Sequence, residues 1–66
     1  MAPHQQRVVD ERADLQGKIE RLGKFMDGDL FARLPIAEQN RLRQQSGWMC
    51  GYRAVLDERI AAFSAG

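Results

Sequence analysis

The feature that most limits how this chain can fold is its single cysteine, Cys50, among only 66 residues. Domains below roughly 70–80 residues rarely bury enough apolar surface to fold alone unless disulfides, a metal or partner chains stabilise them. One cysteine excludes an intrachain disulfide, and the one histidine, His4, has no second Cys or His at ligand spacing. No metal or other cofactor is expected, so partner chains are the remaining means of stabilisation. The sequence therefore predicts a homo-oligomer.

The composition is typical of a folded protein, since 44% of the residues are hydrophobic and 29% are charged. Ten basic and nine acidic residues give a net charge of +1, which argues against a DNA-binding protein. We expect no membrane span and no signal peptide, because no apolar run approaches the required ~20 residues. A free thiol suits a reducing compartment, so the expected location is intracellular.

A seven-residue repeat of apolar side chains predicts the first helix, over about residues 3–26. Val8, Leu15 and Leu22 recur every seven residues, and Ile19 and Met26 each follow a member of that repeat by four residues. Pro3 suits the first turn, where a missing N–H costs nothing, and Arg12 falls on the same stripe as the apolar residues. This helix therefore presents one apolar face that has to be covered.

The break after the first helix is predicted at Asp27, Gly28 and Asp29. Gly28 is expected to adopt the left-handed conformation, and Asp29 is expected to cap the next element. The turn should extend over 27–34, with up to one helical turn in its second half. Pro35 is expected in the first turn of a second helix over about 35–63, which ends before residues 64–66.

A strict heptad of Leu42, Met49, Leu56 and Phe63 runs along the second helix. Such a short turn makes the two helices antiparallel, so the fold class is an all-α helical hairpin that forms one domain over residues 1–66. Trp48, Tyr52 and Val55 give the second helix another apolar surface beside the heptad. A hairpin with two apolar surfaces needs a neighbour, which favours a closed trimer or hexamer, or a dimer that forms a four-helix bundle.

Several residues of the second helix have both a structural and a functional interpretation. Gly47 and Gly51 weaken a helix by up to ~2 kcal/mol together, and they serve either close helix packing or a shallow floor for a flat ligand. Trp48 and Tyr52, one turn apart, are either core and interface residues or a stacking platform for nucleobases. Arg53 lies on the core side of the helix and needs an acidic partner or a ligand phosphate, as does Arg12.

Catalysis is not expected, because the chain has no phosphate-binding glycine loop, no metal cluster and no Ser/His/Asp set. Cys50 has no histidine placed to activate it. The acidic residues Asp10, Glu11 and Asp14 are interpreted as a solvated face.

The pattern of both helices resembles that of a family of small phage proteins, the anti-CBASS sponges that bind cyclic di- and trinucleotide signals. In the first helix the resemblance is carried by Gln6, Arg7, Val8, Val9, Asp10, Glu11, Asp14, Leu15, Lys18, Ile19, Leu22, Phe25 and Met26. In the second helix it is carried by Glu38, Gln39, Arg41, Leu42, Gln45, Met49, Tyr52, Leu56, Glu58, Arg59 and Ile60.

This resemblance implies a helical homo-oligomer, with a hexamer favoured, that sequesters a signalling nucleotide between protomers in the cytoplasm of an infected bacterium. The ligand-binding residues that it suggests are Arg7, Arg12, Lys18, Tyr52 and Arg59, to which the residue pattern adds Trp48 and Arg53. Two alternatives stay open: a structural or adaptor oligomer, and an inhibitor that docks on a host protein. In the first of these Arg and Trp would serve interfaces only, and in the second an exposed helix face would dock on the host protein.

Overall fold

A computed structural model describes residues 1–64, and three helices account for nearly all of them. Helix α1 comprises Pro3–Met26, α2 comprises Asp29–Arg33, and α3 comprises Ile36–Phe63. The all-α class predicted from the sequence is confirmed, whereas assembly into a bundle stays a prediction. Residues 65 and 66, which the sequence places after the second helix, lie outside the described residues.

The long helices α1 and α3 lie antiparallel and make a rod with principal extents of 48 × 15 × 14 Å. Arg12 contacts Asp57 and Gln16 contacts Arg53, so residue numbers rise along α1 as they fall along α3. Between the helices Val8, Leu15 and Leu56 form the buried core, packed against four partly buried residues: Ile19, Met49, Ile60 and Phe63. These residues belong to the two apolar repeats, whose helical period puts them on the facing sides of α1 and α3.

Helix α2 is held by Phe31, which is only 5% exposed. Its ring meets Phe25 of α1 edge-to-face at 6.2 Å between centroids, and the guanidinium of Arg43 lies 5.2 Å from the ring centroid. Aromatic pairs and cation–π contacts each contribute up to ~1.5 kcal/mol beyond the burial of their apolar area. Phe31 therefore ties the turn to both long helices.

A buried glutamine, Gln39, completes the turn. Its amide nitrogen Nε2 donates to the carbonyl oxygens of Leu34 at 2.9 Å and Ala32 at 3.3 Å, and its Oε1 accepts from Arg43 Nη2 at 3.4 Å. The last carbonyls of a helix have no partner within the helix, so a side-chain amide of α3 satisfies those at the end of α2. The sequence analysis did not predict this role for Gln39.

Three expectations about the turn are wrong. Gly28 has φ −94° and ψ 171°, an extended conformation that any residue adopts, and no glycine among the described residues has positive φ. Gly28 is the residue that precedes α2, and Asp29 is the first residue of that helix rather than its cap. Pro35 precedes α3 in extended conformation, with ψ 145°. The physical reason is that α2 begins soon after α1, so Gly28 takes the extended conformation typical of the residue that precedes a helix, while Asp27 stays helical.

None of the helices that the structure describes is both long enough and apolar enough to cross a lipid bilayer.

Candidate functional site

Helix α3 carries several exposed aromatic and aliphatic side chains outside the buried core. Trp48 is 71% exposed, Tyr52 45% and Val55 52%. Gly47 and Gly51 lie beside them, and a Cβ placed on either glycine would meet no described atom within 4 Å. The glycines therefore do not allow a close approach of α1 to α3. They weaken the helix by up to ~2 kcal/mol together, and no contact within the hairpin offsets this loss.

An open depression of about 520 Å³ lies along this part of α3. Its lining residues are Arg41, Gln44, Gln45, Trp48, Met49 and Tyr52. They follow one another at spacings of three and four, which puts them on one side of the helix. The depression combines two aromatic rings, two amides and a guanidinium, and none of its described lining residues is acidic.

The guanidinium of Arg41 makes a surface ion pair, with its Nε 2.7 Å from Glu38 Oε1. Both side chains are well exposed to water, and pairs of this kind contribute only about 0–1 kcal/mol. If Arg41 left Glu38 to bind an anionic ligand, the loss of this ion pair would therefore lower the binding free energy only slightly.

A second depression of about 360 Å³ lies where α1 faces Tyr52 of α3. Its lining residues are Arg7, Asp10, Glu11, Asp14, Leu15, Lys18 and Tyr52. Three carboxylates and two basic groups give this lining a formal charge of −1, which opposes binding of a ligand with several phosphates. The predicted residues Arg7, Lys18 and Tyr52 do lie together, but the solvated acidic patch lies among them.

Arg12 and Arg53 are both bonded across the hairpin. Arg12 Nε lies 2.8 Å from Asp57 Oδ1, and Arg53 Nη1 donates to Gln16 Oε1 at 3.0 Å. The hydrogen bond from Arg12, helped by its charge and that of Arg53, holds the pKa of Asp57 below its usual value. The same hydrogen bond, helped by the negative charges of Asp57 and Glu20, raises the pKa of Arg12. The acidic partner expected for Arg12 is thus Asp57 of the same chain, whereas Arg53 has an amide partner rather than an acidic one.

The stability of the hairpin should depend on the ionisation of Asp57. Because its pKa is lowered in the folded chain, the stabilisation is complete above the ordinary value of about 3.9 and is lost as pH falls through the lowered pKa. Urea unfolding between pH 7 and pH 2 should show Asp57→Asn less stable than the natural chain at neutral pH, with the difference vanishing in acid. Arg12→Gln should give the same profile, and a difference that persists in acid would contradict this.

Arg59 is exposed, and it lines neither of these two depressions. The structure thus brings Trp48 and Tyr52 together, puts Tyr52 also beside Arg7 and Lys18, and leaves Arg59 apart. The two amides Gln44 and Gln45 were missed by sequence reasoning. Their signal was their spacing from Trp48, four and three residues, which places all three on one side of α3.

The described residues contain no group of three or more His, Cys, Asp or Glu side chains that could hold a metal ion. The site is therefore described by its aromatic, amide and guanidinium groups.

Comparison with known proteins identifies the family. The model of the family named Sequestin matches residues 2–62, nearly the whole chain. The chain belongs to the Sequestin family. A protein of Enterobacteria phage T4, the "Uncharacterized 7.5 kDa protein in denB-rIIB intergenic region", is 36% identical to this chain over 63 residues, covering 96% of this chain and 98% of the relative. No solved structure matches.

Membership of the Sequestin family confirms the resemblance to small phage sponge proteins. The family's name indicates a sequestering role, that is, holding a molecule rather than converting it, and it does not denote an enzyme family.

Proposed function

We propose that this chain binds a signalling nucleotide, a cyclic dinucleotide or trinucleotide or a related molecule, and withholds it from bacterial immune effectors without converting it. The observation that carries the proposal is the depression on α3, where Trp48 and Tyr52 lie beside the amides of Gln44 and Gln45 and the guanidinium of Arg41. These groups supply the three contacts that a nucleotide needs: ring stacking, hydrogen bonds to base edges, and a cation for phosphate.

The strength of such contacts suits a sponge. Stacking of a base on an aromatic side chain contributes ~1–3 kcal/mol, and glutamine amides can make paired hydrogen bonds to base edges. Charge-assisted hydrogen bonds between guanidinium and phosphate are roughly twice as strong as neutral ones. A nanomolar site requires about −12 kcal/mol, which two bases and several arginines can approach in a preformed pocket.

Several chains are needed to provide those arginines, because one depression offers Arg41 alone. A homo-oligomer, with a hexamer favoured, would bring further cations to each site in the cytoplasm of an infected bacterium. Arg7, Lys18 and Arg59 remain candidates for this role. Arg12 and Arg53 could contribute only by giving up Asp57 and Gln16, which makes them weaker candidates than Arg41.

The proposal is tested by a binding screen with cyclic dinucleotides, cyclic trinucleotides and NAD-derived cyclic nucleotides. A true ligand at 100 times its Kd should stabilise the fold by about 2.7 kcal/mol, seen as a rise in melting temperature. Titration calorimetry should then give the affinity. The bound nucleotide should be recovered chemically intact after the protein is denatured, since no conversion is expected.

Arg41→Ala should weaken binding about 10- to 100-fold, because a hydrogen bond to a charged group contributes ~1.5–3 kcal/mol. The control is Arg33→Ala, which removes an exposed arginine of α2 outside the depression. The proposal is wrong if no nucleotide of the three classes binds, or if a bound nucleotide is released as a different compound. Equal losses in the two variants would show that general charge, rather than this site, binds the ligand.

A further inference from the structure

The charged side chain that lines the depression on α3 is Arg41, and a residue outside the depression holds it. The Nε of Arg41 donates to Oε1 of Glu38 at 2.7 Å, whereas Glu38 itself does not line the depression. A guanidinium has two edges that can bind a phosphate, one that includes Nε and one formed by the two Nη groups. Because Glu38 binds Nε, the edge formed by the two Nη groups is left for a ligand.

Glu38 is held more firmly than the arginine it binds. It lies in the first turn of α3, where its backbone N–H donates to the carbonyl oxygen of Pro35 at 2.9 Å. The next residue, Gln39, is only 7% exposed and binds the carbonyl oxygen of Leu34 at the end of α2. The partial positive charge at the N-terminus of a helix also favours a carboxylate at this position. A well-anchored carboxylate therefore restrains the long and exposed side chain of Arg41.

We propose that Glu38 is a positioning residue for nucleotide binding, which holds the guanidinium of Arg41 so that its two Nη groups face a phosphate in the depression. This inference rests on the function proposed above, because it assigns how the cation of that site is presented. Arg41 need not leave Glu38 when the phosphate binds, so Glu38 acts through Arg41 and touches no ligand. A phosphodiester has two unesterified oxygens, which the free edge binds in two parallel hydrogen bonds.

Glu38 has two opposite effects on a bound phosphate. Its hydrogen bond restricts Arg41 before the ligand arrives, so less side-chain freedom is lost on binding. Its negative charge repels the phosphate. The phosphate contacts the edge of the guanidinium away from Glu38, so this repulsion acts through water over a longer distance than the attraction between phosphate and arginine. We therefore expect the restriction of Arg41 to prevail and Glu38 to favour binding.

The restraint on Arg41 is tested first, without a ligand. NMR relaxation of the Arg41 Nε–Hε group measures the mobility of the guanidinium on the picosecond to nanosecond timescale. The reference is Arg33, an exposed arginine of α2 that forms neither of the two described ion pairs. Arg41 should be more ordered than Arg33 in the natural chain, and as mobile as Arg33 in Glu38→Ala. Equal mobility of Arg41 in the natural chain and in Glu38→Ala overturns the proposal.

The effect on affinity is measured by titration calorimetry with the nucleotide that has the lowest Kd in the screen above. Glu38→Ala should weaken binding about 5-fold, the factor that corresponds to the upper value of ~1 kcal/mol for a surface ion pair. Glu38→Gln keeps an oxygen that can accept from Nε, so it should restore most of the lost affinity. Tighter binding by Glu38→Ala would show that repulsion prevails, and it overturns the proposal.

Two controls separate positioning from the effects of charge and of helix stability. Glu58→Ala removes an exposed glutamate of the same helix outside the depression, and it should leave the affinity unchanged. In a chain that already carries Arg41→Ala, Glu38→Ala should have no further effect, because a residue that acts through Arg41 then has nothing to position. Circular dichroism checks that each variant keeps its helix content. A loss of similar size in the Arg41→Ala chain overturns the positioning role.

The two readouts distinguish this inference from the function on which it rests. If Glu38 orders Arg41 but no nucleotide of the screen binds, the restraint is confirmed and the proposed function is wrong. If a nucleotide binds while Arg41 is equally mobile with and without Glu38, the function is supported and the positioning role is wrong.

Discussion

Replacing Leu56 by alanine is expected to lower the free energy of unfolding by about 2–5 kcal/mol. Leu56 is fully buried, at 0% exposure, and forms the buried core between α1 and α3 with Val8 and Leu15. Its removal leaves a cavity that two stiff helices can close only in part. Total stabilities of small domains are about 5–15 kcal/mol, so the loss is a large fraction of what a chain of this size has.

The measurement is urea unfolding followed by circular dichroism, at one protein concentration because assembly contributes to stability. Leu30→Ala is the matched control, since Leu30 is 65% exposed and loses the same atoms. Leu30→Ala should change the free energy of unfolding by less than about 0.5 kcal/mol. Similar midpoints for the two variants would contradict the core described here.

Replacing Phe31 by alanine is the second large change, with an expected loss of about 3 kcal/mol. The ring is buried against Phe25 and the guanidinium of Arg43, so its removal detaches α2 from both long helices. Gln39 would then be left to hold α2 through the carbonyls of Ala32 and Leu34 alone.

Hydrogen exchange distinguishes this effect from general loss of stability. In Phe31→Ala the amides of α2 should exchange faster than those in the middle of α1 and α3, because α2 opens first. Phe25→Ala is the control, since Phe25 is 39% exposed and its edge-to-face pair contributes only about 0.5–1.5 kcal/mol. Unchanged exchange in α2 of Phe31→Ala would show that the ring does not hold it.

Part of the candidate site could be predicted from the sequence. Trp48 and Tyr52 are one turn apart, so their common position on α3 follows from the helical period alone. The two glutamines, Gln44 and Gln45, obey the same rule and were missed because amides are common on solvated helix faces. Where Arg12 and Arg53 bind could not be predicted, because their partners Asp57 and Gln16 lie on the other long helix and meet them only once the two helices pack.

The turn shows the opposite case, in which a local rule gave the wrong answer. Gly28 after an aspartate is a usual signal for a left-handed helix end, yet its φ is −94°. The decisive contact is Phe31 against Phe25, which draws α2 back onto α1, with Gly28 extended between the two helices. A short-range signal was thus overridden by the burial of one ring.

The sequence by itself determined the helices and the sides on which they are apolar. Periodicity places Val8 and Leu15 on one side of α1, and Leu56 on one side of α3. The helical repeat alone determines on which side of a helix each side chain lies. Only the tertiary structure decided which polar groups meet across the hairpin. Arg12 reaches Asp57, 45 residues away, and Gln39 reaches the end of α2, since such contacts depend on how the helices lie against one another.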